Sequence, residues 1–216
     1  MGNSRVDKVF WTDPYLTELE TRVTGVDGDD VTVERTIFFA FSGGQESDAG
    51  TIGGVRVLRA RKDNQQIVYT LEPGHGLRPG APVTMTIDWA RRHRLMRLHL
   101  AAELVLELVY QALSPIEKVG AHIAEDKERI DFTLDGTLSE AVADIQAKAA
   151  ALIEANHPVI TAFDDDDAER RYWEIAGFAR VPCGGTHLKT TNEIGQIRLK
   201  RHNPGRGKER IEITLV

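Results

Sequence analysis

The chain of 216 residues carries 27 Lys and Arg against 33 Asp and Glu, a formal charge of −6, and is 41% hydrophobic and 28% charged. Those proportions fit a folded globular protein and exclude a disordered, collagen-like or low-complexity chain, and the length suits one large domain or two small ones. No apolar run approaches the roughly 18 residues of a membrane helix, residues 1–8 lack the apolar core of a secretory leader, and the one cysteine, Cys183, has no internal disulfide partner. The expectation is a cytoplasmic protein without membrane contact, whose thiol is free for catalysis or metal binding.

Residues 1–87 read as strands and turns. Runs at 16–26, 31–39, 54–59, 67–71 and 83–87 are rich in Val, Ile, Thr and Leu, and Gly, Asp and Pro clusters separate them, which predicts a small β-barrel-like domain. Asp88 is placed to cap a helix starting at the next residue. From Trp89 to Leu113 neither Gly nor Pro intervenes and helix formers dominate until Ser114-Pro115, so a long helix is expected. On it Leu95, His99, Glu103 and Glu107 share one face beside an apolar stripe of Met96, Leu100, Leu104 and Leu108. After a short strand at 129–134, Thr137 and Glu140 have capping-box spacing, and Leu138, Val142, Ile145, Ala149, Leu152 and Ile153 recur at helical intervals up to His157-Pro158. Residues 159–163 read as a strand, 164–167 as an acidic loop, 169–176 as a short helical segment, and 196–201 and 210–215 as strands. The change of pattern near residue 87 divides the chain into domains 1–87 and 88–216, α+β overall, the second with two main helices packed on an antiparallel sheet.

The charge is uneven. Four arginines against Asp88 give residues 88–100 a local +3, and seven cations from Lys189 to Arg210 against Glu193 and Glu209 give +5. Two basic stretches in an acidic chain suit either solvated faces or a phosphate-binding surface.

The sharpest local motif is Cys183-Gly184-Gly185-Thr186-His187. Glycines let the backbone curl so that a thiolate and an imidazole four residues apart converge on one Zn2+, although a small buried Cys beside a surface His would leave the same trace. His99 and Glu103, one helical turn apart, supply two more ligand types pointing the same way, so the four could complete a tetrahedral site; the alternative is an ordinary charged helix face. The run Ser42-Gly43-Gly44-Gln45 after three phenylalanines makes a turn whose amides could approach a ligand, but it has no phosphate-loop lysine. The H-E-x-x-H helix of a zinc protease is absent.

These pieces occur together, and in order, in one family. The segments Asp88–His99, Pro182–His187, Glu193–Gly195 and Gly205–Ile211 resemble the free-standing alanyl-tRNA editing proteins of the AlaX type and the related editing domain of alanyl-tRNA synthetase, and residues 42–50 resemble the glycine-rich segment of the longer AlaX forms. The resemblance spans about residues 38–215. It implies a β-barrel-like domain followed by an α/β editing domain, and ATP-independent hydrolysis of the ester in mischarged tRNA, chiefly seryl-tRNA(Ala) and sometimes glycyl-tRNA(Ala), with zinc in the site. Residue by residue it assigns zinc binding to His99, Cys183 and His187. The family's second helix histidine is Glu103 here, and Leu100 stands where threonine is usual. A carboxylate can ligate zinc, but together with a thiolate it neutralises the ion and weakens its pull on a carbonyl or a water. If Glu103 instead stands outside the ligand set, it is placed to act as a general base. Gln45 and Thr186 are expected beside the amino acid, where bonds to a serine hydroxyl would reject alanine. Arg91, Arg92, Arg94, Lys200, Arg201, Arg206 and Lys208 are expected on tRNA phosphates. The change at Glu103 leaves two further outcomes: a tRNA-binding protein without hydrolysis, or a deacylase for a different aminoacyl-tRNA.

Overall fold

A computed structural model describes residues 5–205 and 207–216, so Arg206 lies outside the described residues. The chain divides into two compact units, Met1–Ser42 with Glu46–His93, and Gly43–Gln45 with Arg94–Val216.

The first unit holds β1 (Asp7–Lys8), β2 (Glu18–Asp27), β3 (Asp30–Val33), β4 (Arg35–Thr36), β5 (Gly50–Ile52), β6 (Val55–Asp63), β7 (Gln66–Leu71) and β8 (Pro82–Ile87). β1 and β4 pair in parallel, and the other six form a closed antiparallel circuit in the order β2-β3-β7-β6-β5-β8. Hairpin chemistry helps to set the register: Ile52 pairs with Val55 across Gly53-Gly54, both at positive φ (60° and 79°), as a two-residue turn matching strand twist demands. Alternate residues point inward, so Val31 and Val33, Ile67, Tyr69 and Leu71, and Val83, Met85 and Ile87 are all buried. The strand expected to run to residue 39 ends at Thr36, and the buried Phe38 and Phe39 follow as irregular chain. Their amides are satisfied by side chains, Phe38 N–H donating to Thr36 Oγ1 (2.9 Å) and Phe39 N–H to Asp48 Oδ2 (2.7 Å).

Arg92 belongs to this interior. Its side chain is 0% exposed, it donates to both carboxylate oxygens of Asp48 (Nε to Oδ1, 2.8 Å), and it also donates to the carbonyl oxygens of Pro14 (2.9 Å) and Ile37. The expectation that it faces tRNA phosphates is therefore corrected: the side chain is fully buried and four of its five N–H donors are spent inside the protein.

α1 (Trp89–Ala112) comes next, capped by Asp88, whose Oδ1 accepts from the N–H of Arg91 at 3.1 Å. The helix departs from the expected single stripe, because Leu95, Met96, Leu98, Leu100, Ala101, Ala102, Leu104, Val105, Leu108 and Val109 are buried on all sides of it. The second unit continues with β9 (Glu117–Ile123), β10 (Glu128–Thr133), α2 (Val142–Glu154), β11 (Ile160–Asp165), β12 (Arg170–Ile175), β13 (Ala179–Pro182), β14 (Ile197–Gly205) and β15 (Lys208–Leu215). Two antiparallel sheets form where one was expected, β14-β15-β10-β9 and β11-β12-β13. Leu95 and Leu98 of α1 pack on Ile123 and Leu215, and Gln146 of α2 is bonded to the backbone of β14 at Ile197 O (3.0 Å) and Leu199 N–H (2.7 Å).

Two local expectations fail for physical reasons. Residues 170–175 are the central strand of their sheet, with Arg171, Trp173 and Ile175 buried in alternation, a period of two that a charged Arg-Arg start conceals. The capping box at 137–140 does not form: Thr137 Oγ1 accepts from Ser139 N–H, and α2 starts later with Ala141 at its N-cap. A capping box is found instead at Thr190, where Glu193 reaches back to the Thr190 N–H at 3.1 Å. Among the described residues no helix is long and apolar enough to cross a membrane.

Candidate metal centre

Helical periodicity brings His99 and Glu103 of α1 to one face, and the turn after β13 carries Cys183 and His187 to meet them. The turn is tied down where the Cys183 N–H donates to Arg171 O on β12 (2.8 Å). It passes so close to α1 that a Cβ at Gly185 would sit 2.0 Å from His99 Cε1 and 2.6 Å from Nδ1, so only glycine fits.

One ligand atom from each of His99, Glu103, Cys183 and His187 lies within 4.8 Å of all the others. His99 Nε2 is 3.4 Å from Cys183 Sγ and 3.4 Å from Glu103 Oε1. Ligands 2.0–2.3 Å from a tetrahedral zinc stand roughly 3.3–3.8 Å apart, so these two edges fit a shared cation. His187 Nε2 and Glu103 Oε2 are at hydrogen-bond distance, 2.8 Å. The donor set of two imidazoles, a thiolate and a carboxylate is one that zinc accepts.

The electrostatics favour the anionic donors. Burial opposes the charge on Glu103, but His99 and His187 outweigh it and hold the carboxyl well below the usual carboxylate range. Burial and Glu103 push the Cys183 thiol up, and the same two imidazoles bring it below its ordinary value. Burial likewise works against charge on His99 and His187, yet Glu103 and Cys183 raise both, His99 well above its usual range.

Gln45 and Thr186 complete the centre from an unexpected side. The segment Gly43–Gln45 runs beside β9, with the Ile123 N–H donating to Gly44 O at 2.8 Å. Gln45 is 0% and Thr186 1% exposed, and neither lines the adjoining cavity. The Thr186 N–H donates to Gln45 Oε1 (3.3 Å) and Gln45 Nε2 donates to Thr186 Oγ1 (2.9 Å), which fixes the amide. Oε1 therefore accepts the Nδ1 proton of His99 (2.7 Å) and turns Nε2 toward Cys183 and Glu103. The expectation that these two residues touch the amino acid is corrected: they stand behind His99 and orient it. Gln45→Leu is expected to weaken zinc binding by about 10–100-fold, read by competition with a chromophoric chelator. Unchanged affinity would reduce Gln45 to packing.

A cavity of about 280 Å3 adjoins the centre, lined among others by His99, Glu103, Glu107, Lys118, Glu128 and Cys183. Glu128 was not among the residues expected from sequence. It is buried with both carboxylate oxygens unpartnered, and burial holds its pKa well above the usual range. The alternation of residues 128–133, which puts Glu128 on the same face as Ile130 and Phe132, is the signal that could have found it.

The remaining expected tRNA contacts stay near the surface. Arg91 is paired with Glu46 (2.7 Å), Arg94 donates to Glu125 O (2.6 Å), Arg201 forms two bonds of 2.6 Å with Glu209, and Lys200 and Lys208 are exposed.

The family described as Threonyl and Alanyl tRNA synthetase second additional domain matches residues 174–212, which include Cys183 and His187. An alanyl-tRNA editing protein AlaX-M of Pyrococcus horikoshii is 33% identical over 212 residues, covering 96% of this chain and 97% of that protein. AlaX-M of Saccharolobus solfataricus is 30% identical, covering 97% and 98% respectively. The alanine–tRNA ligase of Pyrobaculum aerophilum is 30% identical over 91% of this chain, which spans 25% of that larger protein. On this near full-length similarity, the chain belongs to the family of free-standing alanyl-tRNA editing proteins related to the editing domain of alanyl-tRNA synthetase.

Proposed function

We propose that this chain is a cytoplasmic trans-editing hydrolase that cleaves the aminoacyl ester of mischarged tRNA(Ala), seryl-tRNA(Ala) first and glycyl-tRNA(Ala) second, with Zn2+ held by His99, Glu103, Cys183 and His187. The observation that carries this reading is the convergence of those four donors within 4.8 Å, three of them, His99, Glu103 and Cys183, lining a cavity of about 280 Å3 that has room for a small aminoacyl group. Zinc bound there supplies a Lewis acid for an ester carbonyl or a water. The protein's own part is positioning: Gln45 orients His99, and the cavity offers a place beside the cluster for an ester that is already activated relative to an amide. Each oxygen of Glu103 faces an imidazole, which supports its role as a ligand over that of a general base. Residues 1–87 and 88–216 are proposed as the N-terminal and editing domains. Arg91, Arg94, Lys200, Arg201 and Lys208 are proposed to hold tRNA phosphates, so affinity should fall steeply with added salt.

One observation favours a second reading. Glu103 and Cys183 together cancel the charge of a divalent ion, and a site neutralised in this way suits a protein that binds tRNA without hydrolysing it. Deacylation of seryl-, glycyl- and alanyl-tRNA(Ala) by the purified protein, before and after zinc removal, separates the two. Zinc-dependent loss of the seryl ester with the alanyl ester spared is the expected result. Retained tRNA affinity with all three esters intact would establish the second reading.

A further inference from the structure

Strand β10 turns Glu128, Ile130 and Phe132 to one face and Arg129 and Thr133 to the other. An apolar residue would be expected at the first of these positions, since the cross-strand neighbours of Glu128 are Ile123 on β9 and Ile213 on β15. A carboxylate stands there instead, 1% exposed, with neither oxygen hydrogen-bonded, on the wall of the cavity that His99, Glu103 and Cys183 also line. Burying a carboxyl without a partner is costly, and a site that retains one commonly has it completed by a ligand.

The chemistry of that ligand is set by the rest of the wall. The cavity is lined by the carboxyl groups of Glu103, Glu107 and Glu128 and by the cationic side chains Lys118 and His99, and Glu103 already has both imidazoles as partners. The complement of Glu128 is therefore a donor with positive charge, and small enough for about 280 Å3. We propose that Glu128 binds the α-ammonium group of the aminoacyl ester. This rests on the deacylase reading of the neighbouring cluster. An ammonium offers three N–H donors to two oxygens that have none, and holding it fixes the Cα beside the metal centre. Glu128 thereby makes the site selective for esters with a free amino group over N-acylated or α-hydroxy analogues.

The test uses two non-hydrolysable probes, the L-seryl amide of 3′-amino-3′-deoxyadenosine and its glyceryl counterpart, in which a hydroxyl replaces the ammonium. Calorimetry should show the wild-type protein binding the seryl probe about 10–100-fold more tightly. Glu128→Gln, of equal size, should remove most of that preference by weakening the seryl probe alone, while zinc content is unchanged and the Tm holds or rises by a few degrees. A wild-type protein without the preference, or a Glu128→Gln variant that keeps it or loses affinity for both probes equally, overturns the assignment. Hydrolysis of seryl-tRNA(Ala), measured alongside, keeps the two readings apart. A preference that vanishes in Glu128→Gln with no hydrolysis by wild type supports Glu128 and sinks the deacylase reading. Hydrolysis with a preference indifferent to Glu128 sinks this assignment alone.

Discussion

Cys183→Ala is expected to strip the purified protein of zinc and to lower kcat/KM on seryl-tRNA(Ala) by about 10^3-fold or more, while leaving it folded. Cys183 supplies the thiol of a set whose other acidic donor is Glu103, and His99 and His187 lower its pKa against burial and Glu103, which favours the ligating thiolate. It also organises its own turn, accepting from the Gly185 N–H at 3.4 Å where a side chain at Gly185 would strike His99. Because Cys183 is only partly buried, truncating it costs the fold about 1 kcal/mol, far less than it costs the site. Metal content by mass spectrometry, thermal denaturation and deacylation on the same preparation separate these effects. One zinc per chain with undiminished hydrolysis in Cys183→Ala would remove the cluster from the mechanism.

What the sequence made legible here was local periodicity, and what it concealed was tertiary. His99 and Glu103 declare themselves because a helix repeats every 3.6 residues, and Cys183 and His187 because two ligand types four residues apart flank glycines that let the backbone curl. Gln45 was legible as a polar residue in a glycine-rich turn, but a residue that meets a ligand and one that is wholly buried behind a histidine have the same local sequence. Glu128 escaped because its burial depends on both flanking strands, and β9, with the polar run Glu117-Lys118 and a glycine inside it, gives little sign of being one. At 170–175 the arginines hid a buried alternation, since Arg171 lies inside with Trp173 and Ile175. Long charged side chains that bury in structured positions defeat any reading that assigns charge to the surface.

Arg92 is the strongest instance, and its replacement carries the largest expected effect on stability. Arg92→Met should destabilise the first unit by about 3–5 kcal/mol, because it leaves the fully buried Asp48 carboxylate without its counter-ion. For a unit of this size that corresponds to a loss of more than roughly 10 °C in its Tm. The carbonyl oxygens of Pro14 and Ile37 would lose their donors in the same step. The double variant Arg92→Met with Asp48→Asn should recover much of the loss, since the amide oxygen can still accept from the Phe39 N–H while the uncompensated charge is gone. A tRNA contact would behave differently. Neutralising an exposed cation such as Lys200 should leave the Tm unchanged and reduce the salt dependence of tRNA binding by about one counter-ion. If Arg92→Met melted like wild type but bound tRNA less tightly, its guanidinium would have to reach solvent, and the buried pair with Asp48 would be wrong.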